Sequence, residues 1–128
     1  MGHFYVDCEI EHIRNSAKKI SVPHLLVDTG SEFTWILGDT LRKIGVTVRK
    51  KDMAFSMANG QTITRSIGYA IVRSNGFETV DEVVFGEAGD LQLLGSRTLE
   101  GFGAMVDAQK KRLVAAGPIP AAEIGVKQ

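Results

Sequence analysis

The chain has 128 residues, enough for one domain and too few for two of ordinary size. Hydrophobic residues make up 44% of it and charged residues 23%, with a formal net charge of zero. That balance argues against disorder over most of the length and removes any general attraction to nucleic acid or an anionic membrane. A lone cysteine, Cys8, cannot form an internal disulfide, and no stretch approaches the ~20 apolar residues of a spanning helix. The expectation is a soluble, cytoplasmic protein.

From Phe4 to His12 apolar residues (Phe4, Val6, Cys8, Ile10) alternate with polar or exposed ones, the period of a half-buried strand. Arg14-Asn15-Ser16 predicts a turn and Lys19 to Val27 the return strand of a hairpin. Leu25-Leu26-Val27 is a continuous apolar run that suits a strand buried on both sides, and it stops abruptly at Asp28-Thr29-Gly30. Phe33 to Leu37 predicts a strand. Asp39 to Gly45 predicts a short helix, with Asp39 as N-cap and Gly45 as stop. Val46-Thr47-Val48 predicts a further strand.

Met53 to Ala58 and Gln61 to Val72 flank Asn59-Gly60, the dipeptide favoured in tight hairpin turns with positive φ at both central residues. Asn75-Gly76 repeats that signal before a strand from Phe77 to Phe85. Residues 86–90 predict a polar loop, Leu91 to Leu94 a short strand, and Gly95 to Leu99 a helical turn. Met105 to Val114 predicts two short strands around Gln109-Lys110-Lys111. The sum is an all-β domain with one or two short helices, spanning residues 1–115. A weakly patterned tail, 116–128, follows it.

Asp28 is the first candidate for chemistry. A carboxylate at the mouth of a buried strand needs hydrogen-bond donors. Thr29 and Ser31 bring hydroxyls, and Gly30 allows close approach. The same composition also shapes ordinary turns.

The segment Leu25-Leu26-Val27-Asp28-Thr29-Gly30-Ser31 resembles the active-site segment of aspartic peptidases. Leu93-Leu94-Gly95 followed by Leu99 resembles the second signature of retropepsins, and the hairpin with Asn59-Gly60 at its tip lies where retropepsins carry a flap. Val84-Phe85-Gly86-Glu87 and Met105-Val106-Asp107 are similar to the prokaryotic single-domain branch of the retropepsin-like (clan AA) aspartic proteases. The likeness runs from about Phe4 to Val114, and it departs at Phe33-Thr34-Trp35, where smaller apolar residues are the pattern.

The resemblance implies a small closed barrel or sandwich with a flap hairpin. It also implies an aspartic endopeptidase without metal or organic cofactor, acting on an extended peptide or protein substrate. Such chemistry needs two carboxylates sharing one proton around a water. The chain offers one Asp-Thr-Gly; Asp7, Asp39, Asp52, Asp81, Asp90 and Asp107 lack that context. A homodimer pairing Asp28 with the second copy's Asp28 would supply the other carboxylate. By the same resemblance Thr29 bonds across the two-fold axis and the Ser31 hydroxyl donates to the carboxylate. The tail, 116–128, exceeds the compact family domain and is either loosely ordered or at the dimer interface. Met57, Ala58, Asn59 and Gly60 meet the substrate from the flap tip. An ordinary surface hairpin remains the alternative for that segment, and a non-catalytic dimerisation or peptide-binding module the alternative for the whole.

Other residues carry blander readings. Cys8 and His12 lie four apart on one strand face, about 13 Å at strand rise, too far to share a metal ion. Arg49-Lys50-Lys51 and Lys110-Lys111-Arg112 are two short basic runs, expected as solvated turns in a neutral chain and not as a nucleic-acid surface.

Overall fold

A computed structural model describes residues 3–122. The alternation at the start becomes β1 (Tyr5–His12), with Val6, Cys8 and Ile10 buried. The turn falls at Ile13-Arg14, and β2 runs over Asn15–Val27, so the return strand starts inside the segment expected to turn. β2 pairs antiparallel with β1 but carries two irregularities, one beside the turn between Glu11 and His12 and one where the register skips between Val6 and Cys8. Pro23 and His24 sit at the second of these, opposite Asp7. Proline has no N–H to give a ladder and is tolerated at such a bulge. His24 takes a positive φ of 62°, its N–H donates to Asp7 Oδ1 at 2.9 Å, and its ring stacks on Tyr5 at 3.9 Å.

β3 (Thr34–Leu37) leads directly into α1 (Gly38–Lys43). Asp39 is not the N-cap: the helix starts one residue before it, with Leu37 at the cap position. Asp39 lies in the first turn, paired with Arg42 at 3.2 Å. Gly45 does stop the helix, at φ 78°. Its N–H donates to Arg42 and the Val46 N–H to Leu41, both at 3.0 Å, a paired C-terminal closure. That closure takes the Val46 amide, and Val46 to Val48 form no strand.

β4 (Lys50–Ser56) and β5 (Thr62–Ser74) make the long hairpin. Its tip is not the two-residue turn expected at Asn59-Gly60. Only Gly60 of the pair has positive φ, 87°. The Gly60 N–H donates to Met57 at 2.9 Å and the Met57 N–H to Gln61 at 2.8 Å, a type I turn followed by a left-handed glycine. The tight turn does form at Asn75-Gly76, with φ of 51° and 85°, between β5 and β6 (Phe77–Gly86).

The remaining elements are β7 (Leu93–Leu94), α2 (Ser96–Phe102), β8 (Ala104–Asp107) and β9 (Arg112–Ala115). Leu91 and Gln92 stay outside β7, and α2 runs three residues past Leu99 to a left-handed stop at Gly103.

The main sheet has the order β1-β2-β7-β3-β6-β5-β4, and β1 also pairs with β5, which closes it on itself. β8 and β9 form a separate antiparallel pair. The pairing is mixed: β2–β7 and β3–β6 are parallel, and the other pairs among the described residues are antiparallel. The chain is thus mostly β with two short helices. Inside the closed sheet lie Ile10, Leu25, Ile36, Leu41, Val72, Val83 and Leu94, all fully or almost fully buried. A second cluster of Trp35, Ile67, Val84 and Leu93 packs against Leu26, Phe33, Phe55 and Ile63. Trp35, bulkier than the small apolar residue expected at its position, is therefore core. Phe55 of β4 meets the Phe33 and Trp35 rings edge-on at 5.7 and 5.1 Å, which ties the tip end of the hairpin to β3.

Candidate functional site

Asp28 is the first residue after β2. Its backbone N–H donates to the Leu94 carbonyl at 3.0 Å, and its carbonyl accepts from Ser31 N–H at 3.2 Å. The carboxylate accepts from the Gly30 N–H at 2.9 Å through Oδ1. A methyl at Gly30 would sit 3.2 Å from the same oxygen, so the glycine leaves that side of the carboxylate clear. Asp28 is half-buried, and Thr29 and Gly30 are exposed.

The loop is sewn to the segment around Gly95. Ser96 N–H donates to Ser31 at 2.8 Å and Arg97 N–H to Glu32 at 3.0 Å, so the start of α2 is hung on the Asp28 loop. Beneath runs a buried polar chain. The Gly95 N–H donates to Thr34 Oγ1 at 3.0 Å; Thr34 and Thr98 share a hydrogen bond of 2.5 Å; Thr98 Oγ1 donates to Asp81 Oδ2 at 3.0 Å. Each hydroxyl has one proton to give. Since Thr98 gives its proton to Asp81, Thr34 is the donor to Thr98, and all the bonds point toward the carboxylate. Thr34 and Thr98 are fully buried.

Above the same loop the Arg97 guanidinium lies 4.8 Å from the centre of the Phe33 ring and pairs with Glu82 at 3.2 Å. Glu82 also binds Lys50 at the start of β4, which raises the Lys50 pKa, chiefly through that hydrogen bond. On β5, Arg65 grips Asp90 with two hydrogen bonds, of 2.8 and 3.0 Å. The guanidinium holds the Asp90 carboxyl below the usual carboxylate range, aided by the Glu87 N–H and opposed by partial burial. The hairpin is thus fastened along its length, by Lys50 at the root, Arg65 in the middle and Phe55 near the tip.

The structure brings Asp28, Gly30 and Ser31 together with Leu94, Gly95 and α2. One expectation is corrected: within the chain the Ser31 hydroxyl donates to the Phe33 carbonyl at 3.2 Å, not to the Asp28 carboxylate. Met57, Ala58, Asn59 and Gly60 form an exposed tip whose hydrogen bonds are local, including Asn59 Oδ1 accepting from Gln61 N–H at 2.9 Å. Three surface concavities among the described residues, lined around Tyr69, Ser74 and Phe85, lie apart from Asp28.

Sequence reasoning missed Thr34, Thr98 and Asp81. Their order along the chain carries no motif, and two buried threonines on a strand and a helix give no polar signal. Among the described residues no group of three or more His, Cys, Asp or Glu is placed to hold a metal ion, and no helix is long and apolar enough to cross a membrane. Scanned against protein-family models, the chain matches none. Searched against curated proteins, it again has no match.

Proposed function

We propose that the protein is a retropepsin-like aspartic endopeptidase, active as a homodimer in which Asp28 of each copy contributes to one dyad. The observation that carries this reading is the anchored Asp28 loop. Its carboxylate has one oxygen on its own glycine amide, its backbone is fixed to Leu94, and Thr29 is exposed beside it. One chain brings one such carboxylate, and the chemistry needs two.

In this mechanism one carboxylate takes a proton from the water held between the two, and the water oxygen attacks the peptide carbonyl carbon. The protonated partner gives its proton to the carbonyl oxygen. Collapse of the tetrahedral species breaks the C–N bond, with a proton passing to the leaving amine. The exposed hairpin edge of β4 is suited to strand addition along an extended substrate, with Met57 to Gly60 at the tip. The lone buried thiol fits the reducing cytoplasm.

The test is cleavage of a peptide library by wild type and Asp28→Asn, read by mass spectrometry from mildly acidic to neutral pH, together with the mass in solution. Cuts by the wild type alone, with a dimer, support the dyad. Equal cutting by both forms, or a monomer at all concentrations, refutes it. Peptide binding without cleavage in a dimer would favour a binding module on the same scaffold.

A further inference from the structure

Three arms of the molecule, far apart in sequence, build a cationic hollow away from Asp28. The turn of the β1–β2 hairpin brings His12 and Arg14, the segment after α1 brings Thr47 and Arg49, and β5 brings Tyr69. Together with the apolar Ile13 and Val46 they line a cavity of about 130 Å³. No carboxylate lines it.

Charge pairing and position together set these arginines apart. Arg42, Arg65, Arg73 and Arg97 each lie within ion-pair distance of an acid. Arg14, Arg49 and Arg112 pair with no carboxylate among the described residues, and of these three Arg14 and Arg49 line the same hollow. The nearby acids are committed elsewhere. Glu82, opposite Tyr69 in register, is taken by Lys50 and Arg97. Glu11, next to His12, binds Arg73 at 2.5 Å.

The site is also held in shape. Arg49 N–H donates to Ile67 at 2.7 Å, fixing the root of its side chain on β5, and its guanidinium lies 5.3 Å from the centre of the Tyr69 ring. That ring orients the charge without neutralising it. The Arg14 N–H donates to His12 Nδ1 at 3.0 Å. The imidazole proton of the neutral ring is therefore on Nε2, a donor. Lys18 adds a further cation beside it. A methyl at Gly45 would lie 3.4 Å from Lys18 Nζ and 3.5 Å from His12 Cδ2, the carbon bonded to Nε2.

We propose that this hollow is a binding site for a phosphate dianion, free or as a monoester. Two guanidiniums with an N–H and hydroxyl donors beside them match a tetrahedral oxyanion. The volume suits one such group and falls short of the few hundred Å³ that a drug-sized ligand fills. The basic run Arg49-Lys50-Lys51 is thereby divided: Lys50 serves the hairpin root, and Arg49 serves the anion.

Calorimetric titration of the full chain with inorganic phosphate and with phenyl phosphate, at ionic strength fixed with sodium chloride, tests the site. Arg14→Gln and Arg49→Gln should each weaken binding by roughly tenfold, the loss expected for one charge-assisted hydrogen bond. Lys110→Gln, in the other basic turn, should leave it unchanged, and all three should melt with the wild type. Binding of the monoester alone assigns the site to a phosphorylated side chain or metabolite; binding of free phosphate assigns it to the ion. No phosphate-dependent heat above the chloride background, or equal affinity in Arg14→Gln/Arg49→Gln, overturns the proposal. None of these outcomes depends on Asp28.

Discussion

Gly95→Ala should be among the most damaging single-methyl additions to this chain. Gly95 has φ −94° and ψ 175°, extended backbone open to any residue, so conformational freedom is not the reason for the glycine. Space is. A methyl there would lie 2.4 Å from the Phe33 carbonyl oxygen, 2.6 Å from its carbon and 2.7 Å from the Glu32 oxygen. Carbon and oxygen rest near 3.3 Å at closest, so two backbone segments must separate by about 1 Å. Both are backbone, and no side chain can swing aside. Overpacking of this kind costs about 3 kcal/mol. The retreat also stretches the bonds from Gly95 to Thr34 and from Ser96 and Arg97 to Ser31 and Glu32, at about 1 kcal/mol for each one lost. A total of roughly 4 kcal/mol corresponds to a melting temperature lower by about 12–20 °C in a domain of this size. Thermal unfolding followed by circular dichroism measures it. Gly60→Ala is the comparison: nothing lies within 4 Å, but φ is 87°, so only the left-handed strain of about 1–2 kcal/mol applies. If Gly95→Ala melts within 3 °C of the wild type, or no lower than Gly60→Ala, the close-contact argument fails.

Thr34→Val keeps the shape and removes the hydroxyl between Gly95 and Thr98. It should cost about 1–3 kcal/mol in urea unfolding, and Thr34→Val/Thr98→Val should cost less than the two singles summed, because they share one chain of bonds. Additive losses would show that the chain does not act as a unit. The lowered folded pKa of Asp90 implies stability that is present above the ordinary carboxylate range and lost as pH falls through the folded value. Melting temperatures from pH 7 down to 3 should therefore fall less steeply in Asp90→Asn than in wild type, and parallel profiles would contradict this. Burial pushes the Cys8 thiol up to about 11, with Asp7 adding to it and Ser74 opposing it. Native protein should react with an alkylating reagent at pH 7.5 far more slowly than unfolded protein; equal rates, followed by mass spectrometry, would rule that out. The same shift places stability below the unfolded thiol pKa of 9.0, with loss as pH rises through about 11.

Local pattern was legible wherever one strand decided its own geometry. The alternation around Val6, Cys8 and Ile10 and the Asn75-Gly76 turn could be read residue by residue. Asn59-Gly60 is the same dipeptide with a different outcome. Ser74 faces Phe77 across its turn, leaving two residues, whereas Ser56 faces Thr62, leaving five. The second register accompanies the seating of Phe55 and Ile63 against Trp35, contacts that lie outside the window a turn rule sees. Val46 failed as a strand residue for a similar reason, because the end of α1 takes its amide.

The candidate site divides the same way. Asp28-Thr29-Gly30-Ser31 stands out as a candidate for chemistry at the end of an apolar run, and Leu93-Leu94-Gly95 as a second signature, but the bond that joins them is visible in neither segment alone. Their support did not stand out either. Thr34, Asp81 and Thr98 lie up to 64 residues apart, and each alone is an unremarked polar residue. Arg14 and Arg49 were equally illegible, since their meaning lies in the acids they do not meet.

β5 has two jobs divided along its length. One of its edges runs beside β6 from Ile67 to Ser74; the other is handed from β4, which leaves at Ile67, to β1, which takes over at Ile71. Gly68 stands just past the point where β4 leaves, with the Thr47 oxygen, Phe85 and Val46 so close that a methyl would lie under 3.0 Å from each. The strand is clamped there. The stretch that seals the barrel is thereby separated from the stretch that carries the hairpin, whose Ile63 rests on the Trp35 cluster. The five residues between Ser56 and Thr62 are the part of the hairpin outside both. Doubling the length of that loop would add only about 0.6 kcal/mol of closure entropy and leave the barrel seam as it is.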